Sequence, residues 1–152
     1  MLTLLHPEFY LRLVAALIFG FIIGLERTRK GKTAGIRTYT LVCLGSCLVM
    51  ILSTLNQGQY RDPMRLAAQV VSGIGFLGVG VIWTDRHNFK RGLTTAANLW
   101  MTSSVGLVLG YGLYDIAIVA GILMGIAIQL HSFAEKVGLV PKDKIEQDNG
   151  DD

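Results

Sequence analysis

Apolar residues fall in five blocks along the chain, and the charged residues crowd the short stretches between them. The blocks run from about Phe9 to Leu25, Thr38 to Leu55, Leu66 to Trp83, Leu93 to Tyr111 and Ile116 to Leu130. Inside them no polar face recurs at the spacing that gives a soluble helix its wet side. Helices that are apolar all round, in a small chain, are surrounded by lipid. At 1.5 Å per residue such a block reaches roughly 26 Å, close to the thickness of a bilayer core. The pattern therefore predicts an all-α membrane protein, a bundle of about five transmembrane helices over residues 1–131. The fifth block is the shortest, and a re-entrant or interfacial helix is its alternative. The polar tail over 132–152 ends KDKIEQDNGDD and cannot bury a core, so disorder is expected from about Pro141.

Composition fits this reading and charge orients it. The 152 residues are 51% hydrophobic and 16% charged, against about 25% charged in soluble domains. A pI near 9.0 and a net charge of +3 raise nucleic acid as a partner, but no basic patch interleaved with aromatic residues accompanies them. Their distribution has a simpler cause. With the N-terminus outside, the cytoplasmic pieces hold Arg27, Arg29, Lys30, Lys32, Arg37, Arg86, Lys90, Arg91, Lys136, Lys142 and Lys144, eleven of the fourteen basic residues. Arg61 and Arg65 stay outside, and Arg12 can snorkel to the outer surface. This is the asymmetry of an N-out, C-in protein. Tyr10, Tyr60, Tyr111 and Tyr114 then form an outer aromatic belt, and Tyr39, Trp83 and Phe133 an inner one. The first block has no basic stretch before it and no small-residue cleavage site after it, so it reads as a retained helix.

Glycines and intramembrane polar residues suggest how the helices pack. Gly73, Gly75 and Gly78 spell GIGFLG, a match to the dinucleotide fingerprint, but the match lies inside an apolar block and is followed by Gly80. These glycines read as sites of close helix approach, which puts the third helix near the centre of the bundle. Gly20–Gly24, Gly106–Gly110 and Gly121–Gly125 are further small-xxx-small pairs, for internal packing or a homodimer face. Arg65, Gln69 and Ser72 share one face of the third helix; Thr95, Asn98 and Thr102 share one face of the fourth. They are candidates for interhelical hydrogen bonds or for a polar groove. At the cytoplasmic boundary Glu26, Arg27, Arg37 and Arg91 form a candidate cluster, with Glu26 expected to pair with Arg37 or Arg91.

Little points to an enzyme or to a bound cofactor or metal. His6, His87 and His131 are scattered over ends and loops, and no paired carboxylates lie within a block. Cys43 and Cys47 share a helix face without other ligand types nearby, so they read as small packing residues.

GLER (Gly24–Arg27), AGIRT (Ala34–Thr38), RLAAQVVSGIGFLGVGVI (Arg65–Ile82) and RGLTTAANLW (Arg91–Trp100) resemble the MgtC/SapB family of bacterial membrane proteins, over a stretch from about Arg12 to Leu130. The resemblance implies a protein of the bacterial cytoplasmic membrane linked to magnesium homeostasis and, in pathogens, to survival inside host cells. It implies a regulator acting through membrane partners, the proton-translocating ATP synthase among them. The chain resembles the short form, without the soluble C-terminal domain of longer members. By motif position the family's patterned residues are Glu26, Arg27, Arg37, Gln69, Arg91, Thr94 and Asn98.

Two functions compete: a non-enzymatic regulator that docks by its helices, and a transporter of magnesium or another cation. Mg²⁺ sheds water reluctantly and is held by carboxylates, and a conducting path needs acidic side chains or carbonyl rings at membrane depth. The acidic residues near the blocks are Glu26 and Asp115, at opposite ends, and basic residues crowd the inner mouth. The residues favour the regulator.

Overall fold

A computed structural model describes residues 7–55, 62, 64–86 and 88–138. Tyr60, Arg61, His6, His87 and the tail beyond 138 lie outside the described residues. Five helices follow in order: α1 (Pro7–Arg29), α2 (Ile36–Leu55), α3 (Met64–Gly80), α4 (Leu93–Tyr111) and α5 (Tyr114–Lys136). Between α3 and α4 a two-stranded antiparallel hairpin pairs β1 (Trp83–Thr84) with β2 (Lys90–Arg91). The fold is thus mostly helical, with a small β element that the apolar blocks did not predict.

Two compact units divide the chain. The first runs through Ile118 and contains α1 to α4 with the start of α5; the second begins at Val119. In the second unit α5 continues with Ile122, Leu123, Ile126, Leu130 and Phe133 exposed. In the first unit α2 packs most extensively, against α1 on one side and α4 on the other, while α3 lies mainly on α4.

The chemistry of that packing is backbone proximity. A Cβ added at Gly20 would lie 2.7 Å from the Thr40 Cα, and one at Gly24 would lie 2.6 Å from the Ile36 Cα. On the other side of α2, a Cβ at Gly106 would strike the Cys43 carbonyl oxygen, and one at Gly110 would lie 2.5 Å from the Cys47 carbonyl oxygen. Without hydrophobic drive in lipid, such contacts let dispersion act between backbones. Cys43 and Cys47 are buried free thiols on α2 at this seam, small enough to admit α4. The contacts also fix directions. Gly24 meets Ile36 while Gly20 meets Thr40, so α1 and α2 are antiparallel; Gly106 meets Cys43 while Gly110 meets Cys47, so α2 and α4 are parallel. The α1–α2 loop and the hairpin therefore share one end of the unit.

The glycine-rich third helix is not the centre. Gly73, Gly75 and Gly80 face open space, and a Cβ at Gly78 would make only an ordinary contact with Ala96. Only Ala67, Ile74 and Gly78 of α3 are buried. The reason is that glycine spacing in α3 matches no backbone ridge of this unit, whereas the 20–24 and 106–110 pairs both face α2. α3 also ends at Gly80, three residues before Trp83. Val81 and Ile82 close it with short-range bonds to Gly78 and Val79 carbonyls, and Gly92 approaches the Val81 carbonyl too closely for any side chain.

Arg12 has a role its position in an apolar block did not reveal. Its Nη1 donates to the Gly110 carbonyl at 2.9 Å, at the C-terminal end of α4, where partial negative charge accumulates. Gly112, with φ 96°, closes α4, its N–H bonded to Val108 and Leu109 carbonyls. Glu8, left out of the first block by hydropathy, is in the first turn of α1, 3.9 Å from Arg12.

Two glycine substitutions test this arrangement. Gly106→Ala is expected to destabilise the protein by about 1–3 kcal/mol through overpacking. Gly75→Ala, in open space, is expected to be neutral or to stabilise α3 by up to about 1 kcal/mol. Unfolding in mixed detergent micelles measures both; equal effects would contradict the packing.

Candidate functional site

The end shared by the α1–α2 loop and the hairpin carries a buried polar cluster. It begins with the extension of α1 past Leu25 to Arg29, which places Glu26 and Arg27 in the last turns of a helix rather than in a loop. Ala16, Gly20, Gly24 and Arg27 form one inward stripe at spacings of four and three. Arg27 therefore points where the glycines point and is 2% exposed. Its guanidinium lies beside the Tyr39 hydroxyl. That hydroxyl donates to the Thr95 carbonyl at 3.4 Å, a long bond that ties α2 to α4. Tyr39, Ala34 and Leu99 form the apolar core beside the cluster, with Ile23, Val42 and Val81 packed around it.

Glu26 does not pair with Arg37 or Arg91. Its carboxylate meets Lys30 at 2.5 Å and Arg27 at 3.7 Å. Lys30 is one turn away along the same strand of chain, a pairing available because α1 runs on past the apolar block. Arg37 is exposed in the first turn of α2 and makes no ion pair among the described residues. Arg91 is held instead within the hairpin. Its Nε donates to Asp85 Oδ2 at 3.0 Å, and Asp85 Oδ1 accepts the Phe89 N–H at 2.9 Å. Asp85, which sequence reasoning did not single out, organises this turn; the signal was an acid six residues before an arginine across a three-residue loop. Asn88 adopts φ 65° there, as the third loop residue of such hairpins does.

The loop joining α1 to α2 is equally defined. Lys32 N–H bonds the Arg27 carbonyl and Gly31 N–H bonds the Thr28 carbonyl, the pair of bonds that closes a helix on a left-handed glycine. Thr28 Oγ1 donates to the Gly24 carbonyl and accepts the Ile36 N–H at 3.0 Å, capping the start of α2.

The polar residues inside the apolar blocks divide by helix. On α4, Thr95, Asn98 and Thr102 are buried as one face. Thr102 donates to the Asn98 carbonyl in its own helix, so it makes no interhelical bond through that proton. A side-chain pair that the sequence reading did not name does bridge α2 and α4, Ser46 Oγ to Ser103 Oγ at 2.8 Å. Its signal was positional: both serines lie on the faces defined by Cys43–Cys47 and Gly106–Gly110. Asn98 Nδ2 and Arg27 Nε are buried and find no acceptor among the described residues. Thr94 is exposed at the start of α4, and Gln69 and Ser72 are exposed on α3. Gln69 and Ser72 therefore do not join the inner cluster. Among the described residues no group of three His, Cys, Asp or Glu side chains could hold a metal ion.

Replacement of Arg27 separates its packing from its charge. Arg27→Ala is expected to cost about 3 kcal/mol, since it empties a buried site. Arg27→Met, which keeps the volume, is expected to change stability by less than about 1 kcal/mol. Tyr39→Phe should lose about 0.5–1.5 kcal/mol with its interhelical bond. Unfolding in detergent reads all three, and a Met variant as damaged as the Ala variant would show that the charge itself holds the cluster.

α1 and α2 are each long and apolar enough to cross a membrane, and α3 and the 114–130 part of α5 are shorter apolar helices. The sequence profile of the MgtC family matches residues 13–137. YhiD of Escherichia coli K12, whose name assigns magnesium transport provisionally, is 40% identical over 130 residues, covering 81% of this chain and 60% of its own length. The MgtC proteins of Brucella abortus and Salmonella typhimurium are 45% and 42% identical, over 74% and 88% of this chain and 46% and 57% of their own. The chain thus spans about half the length of the curated relatives it matches. No solved structure matches it. With most of the chain matched by the profile and relatives above 40% identity that cover it, the chain belongs to the MgtC family, a family of magnesium-related membrane proteins.

Proposed function

We propose that this protein is a non-enzymatic, multi-pass protein of the bacterial cytoplasmic membrane that acts in magnesium homeostasis by helix contact with another membrane complex. The observation that carries the reading is Arg27. The charge most deeply buried among the described residues is a guanidinium, at the end of the unit where Arg29, Lys30, Lys32, Arg37 and Arg91 also lie. A fixed positive charge at the mouth of the bundle opposes entry of a divalent cation. The polar face of α4 is closed by contacts such as Ser46–Ser103 and Tyr39–Thr95. The outward faces, by contrast, are broad and apolar. On α1 they include Leu11, Val14, Ile18, Phe21 and Ile22, a surface suited to lipid and to partner helices. By family resemblance an ATP synthase or a similar complex is the kind of partner proposed.

The alternative is transport of Mg²⁺ or another cation, which the name of the E. coli relative favours. In the proposed topology all five helices cross, the N-terminus is outside, and the basic end is cytoplasmic.

Both parts are testable. Thr33→Cys is expected to react with a membrane-impermeant maleimide only from the cytoplasmic side, and Asp62→Cys only from the outside; the reverse pattern overturns the orientation. Purified protein in liposomes containing a Mg²⁺-sensitive dye is expected to give no flux above empty vesicles. Flux that Glu26→Gln abolishes would establish the transporter instead.

A further inference from the structure

The third helix turns one face away from the rest of the first unit. Arg65, Gln69, Ser72, Gly73, Phe76 and Gly80 follow one another at helical spacing and are all exposed; Phe76 is 84% exposed. The stripe the unit buries, Ala67, Ile74 and Gly78, is on the opposite side.

Two features distinguish this face from the lipid-facing stripe of α1, which is wholly apolar. Gln69 and Ser72 lie about 7 and 12 Å along the helix from its start. Their side chains have no hydrogen-bond partner among the described residues, and lipid supplies none. The second feature is charge. Asp62 and Arg65 are exposed, opposite in sign and one turn apart at the helix start. Asp62 Oδ1 accepts the Met64 N–H at 2.8 Å, which leaves its other oxygen available.

A face of this kind is complementary to itself. Across a parallel twofold axis, residues near the axis meet their own copies at equal height, while residues on opposite edges of the face meet each other. Arg65 on one edge thus comes within side-chain reach of Asp62, one turn away on the other edge, of the second copy. The two Gln69 amides then face each other, and each can donate one bond and accept one, as a buried amide pair fixes register in a coiled coil. Gly73, with open space around it, lets the two backbones approach. We propose that this face of α3 docks on the same face of a second copy of this chain, forming a parallel dimer. The proposal rests on the membrane setting and is independent of whether the protein regulates a partner or carries a cation.

The test uses the full chain in native membranes. The parent chain has both described cysteines buried and is expected to stay monomeric under copper–phenanthroline oxidation. Gln69→Cys and Phe76→Cys are expected to give a disulfide-linked dimer of twice the monomer mass, while Leu17→Cys on the outer face of α1 gives none. In the Phe76→Cys background, Gly73→Leu and Arg65→Asp are each expected to lower the dimer yield at least tenfold, and adding Asp62→Arg to Arg65→Asp to restore it. Monomer at both α3 positions, equal yield from Leu17→Cys, or an adduct with a protein of different mass overturns the dimer. Failure of the charge exchange to restore the yield overturns the parallel register.

Discussion

The contact of backbone with backbone along α2 is the constraint on which the rest of the first unit depends. Gly20 and Gly24 of α1 meet one side of α2, and Gly106 and Gly110 of α4 meet the other. Each pair is spaced by four residues, so it presents one continuous groove rather than a single gap. In water, burial of larger side chains could hold three helices together. In lipid the tails are as apolar as leucine, and close packing is what remains. Small residues on α2 complete the seam: Cys43, Ser46 and Cys47 are all buried. With those distances fixed, polar groups on the three helices come within reach of one another.

The two ends of the seam then carry opposite solutions to the same electrostatic problem. At one end Arg12 of α1 reaches the terminal carbonyls of α4 and neutralises the negative end of that helix. At the other, Arg27, on the same helix, is buried with its guanidinium beside the Tyr39 hydroxyl of α2. Both arginines therefore extend from α1 across to neighbouring helices, and α1 acts as a clasp on α2 and α4. Between them the serine pair satisfies its own hydroxyls. Asn98 Nδ2 and Arg27 Nε, in contrast, are among the buried groups left without an acceptor among the described residues. An unmade bond of that kind is costly inside a low-dielectric core.

Much of this was legible in the sequence, and the parts that were not share a cause. The apolar blocks marked five helices because the period and length of a block report on its own surroundings. The 20–24 and 106–110 pairs pointed to close contact, but so did 73, 75, 78 and 80, and a glycine pattern does not say which neighbour it serves. Gly73, Gly75 and Gly80 of α3 proved to face outward. The partner of Glu26 was misassigned because hydropathy ended the first helix at Leu25, while the helix itself continues through polar residues as long as its hydrogen bonds do. Lys30 then comes into i+4 reach. The hairpin escaped notice because two-residue strands have no hydrophobic period to detect; its information is in Asp85 and in glycine at position 92.

What distinguishes α3 from α1 bears on how a protein of this size does its work. A helix that only had to fill space in lipid would carry alanine or leucine where α3 carries Gly73 and Gly75, since glycine inside a helix costs about 1 kcal/mol relative to alanine. On α1 and α4 that cost is offset within the unit, because the glycines sit against α2. On α3 nothing within the unit offsets it. The same helix holds Gln69 and Ser72 outward, where, in the proposed topology, lipid would offer them no partner. Its glycine and polar content thus favours contacts made outside the first unit. Under the proposed function, this outward face of α3 is where the side chains with the greatest need of a partner would be met by another helix.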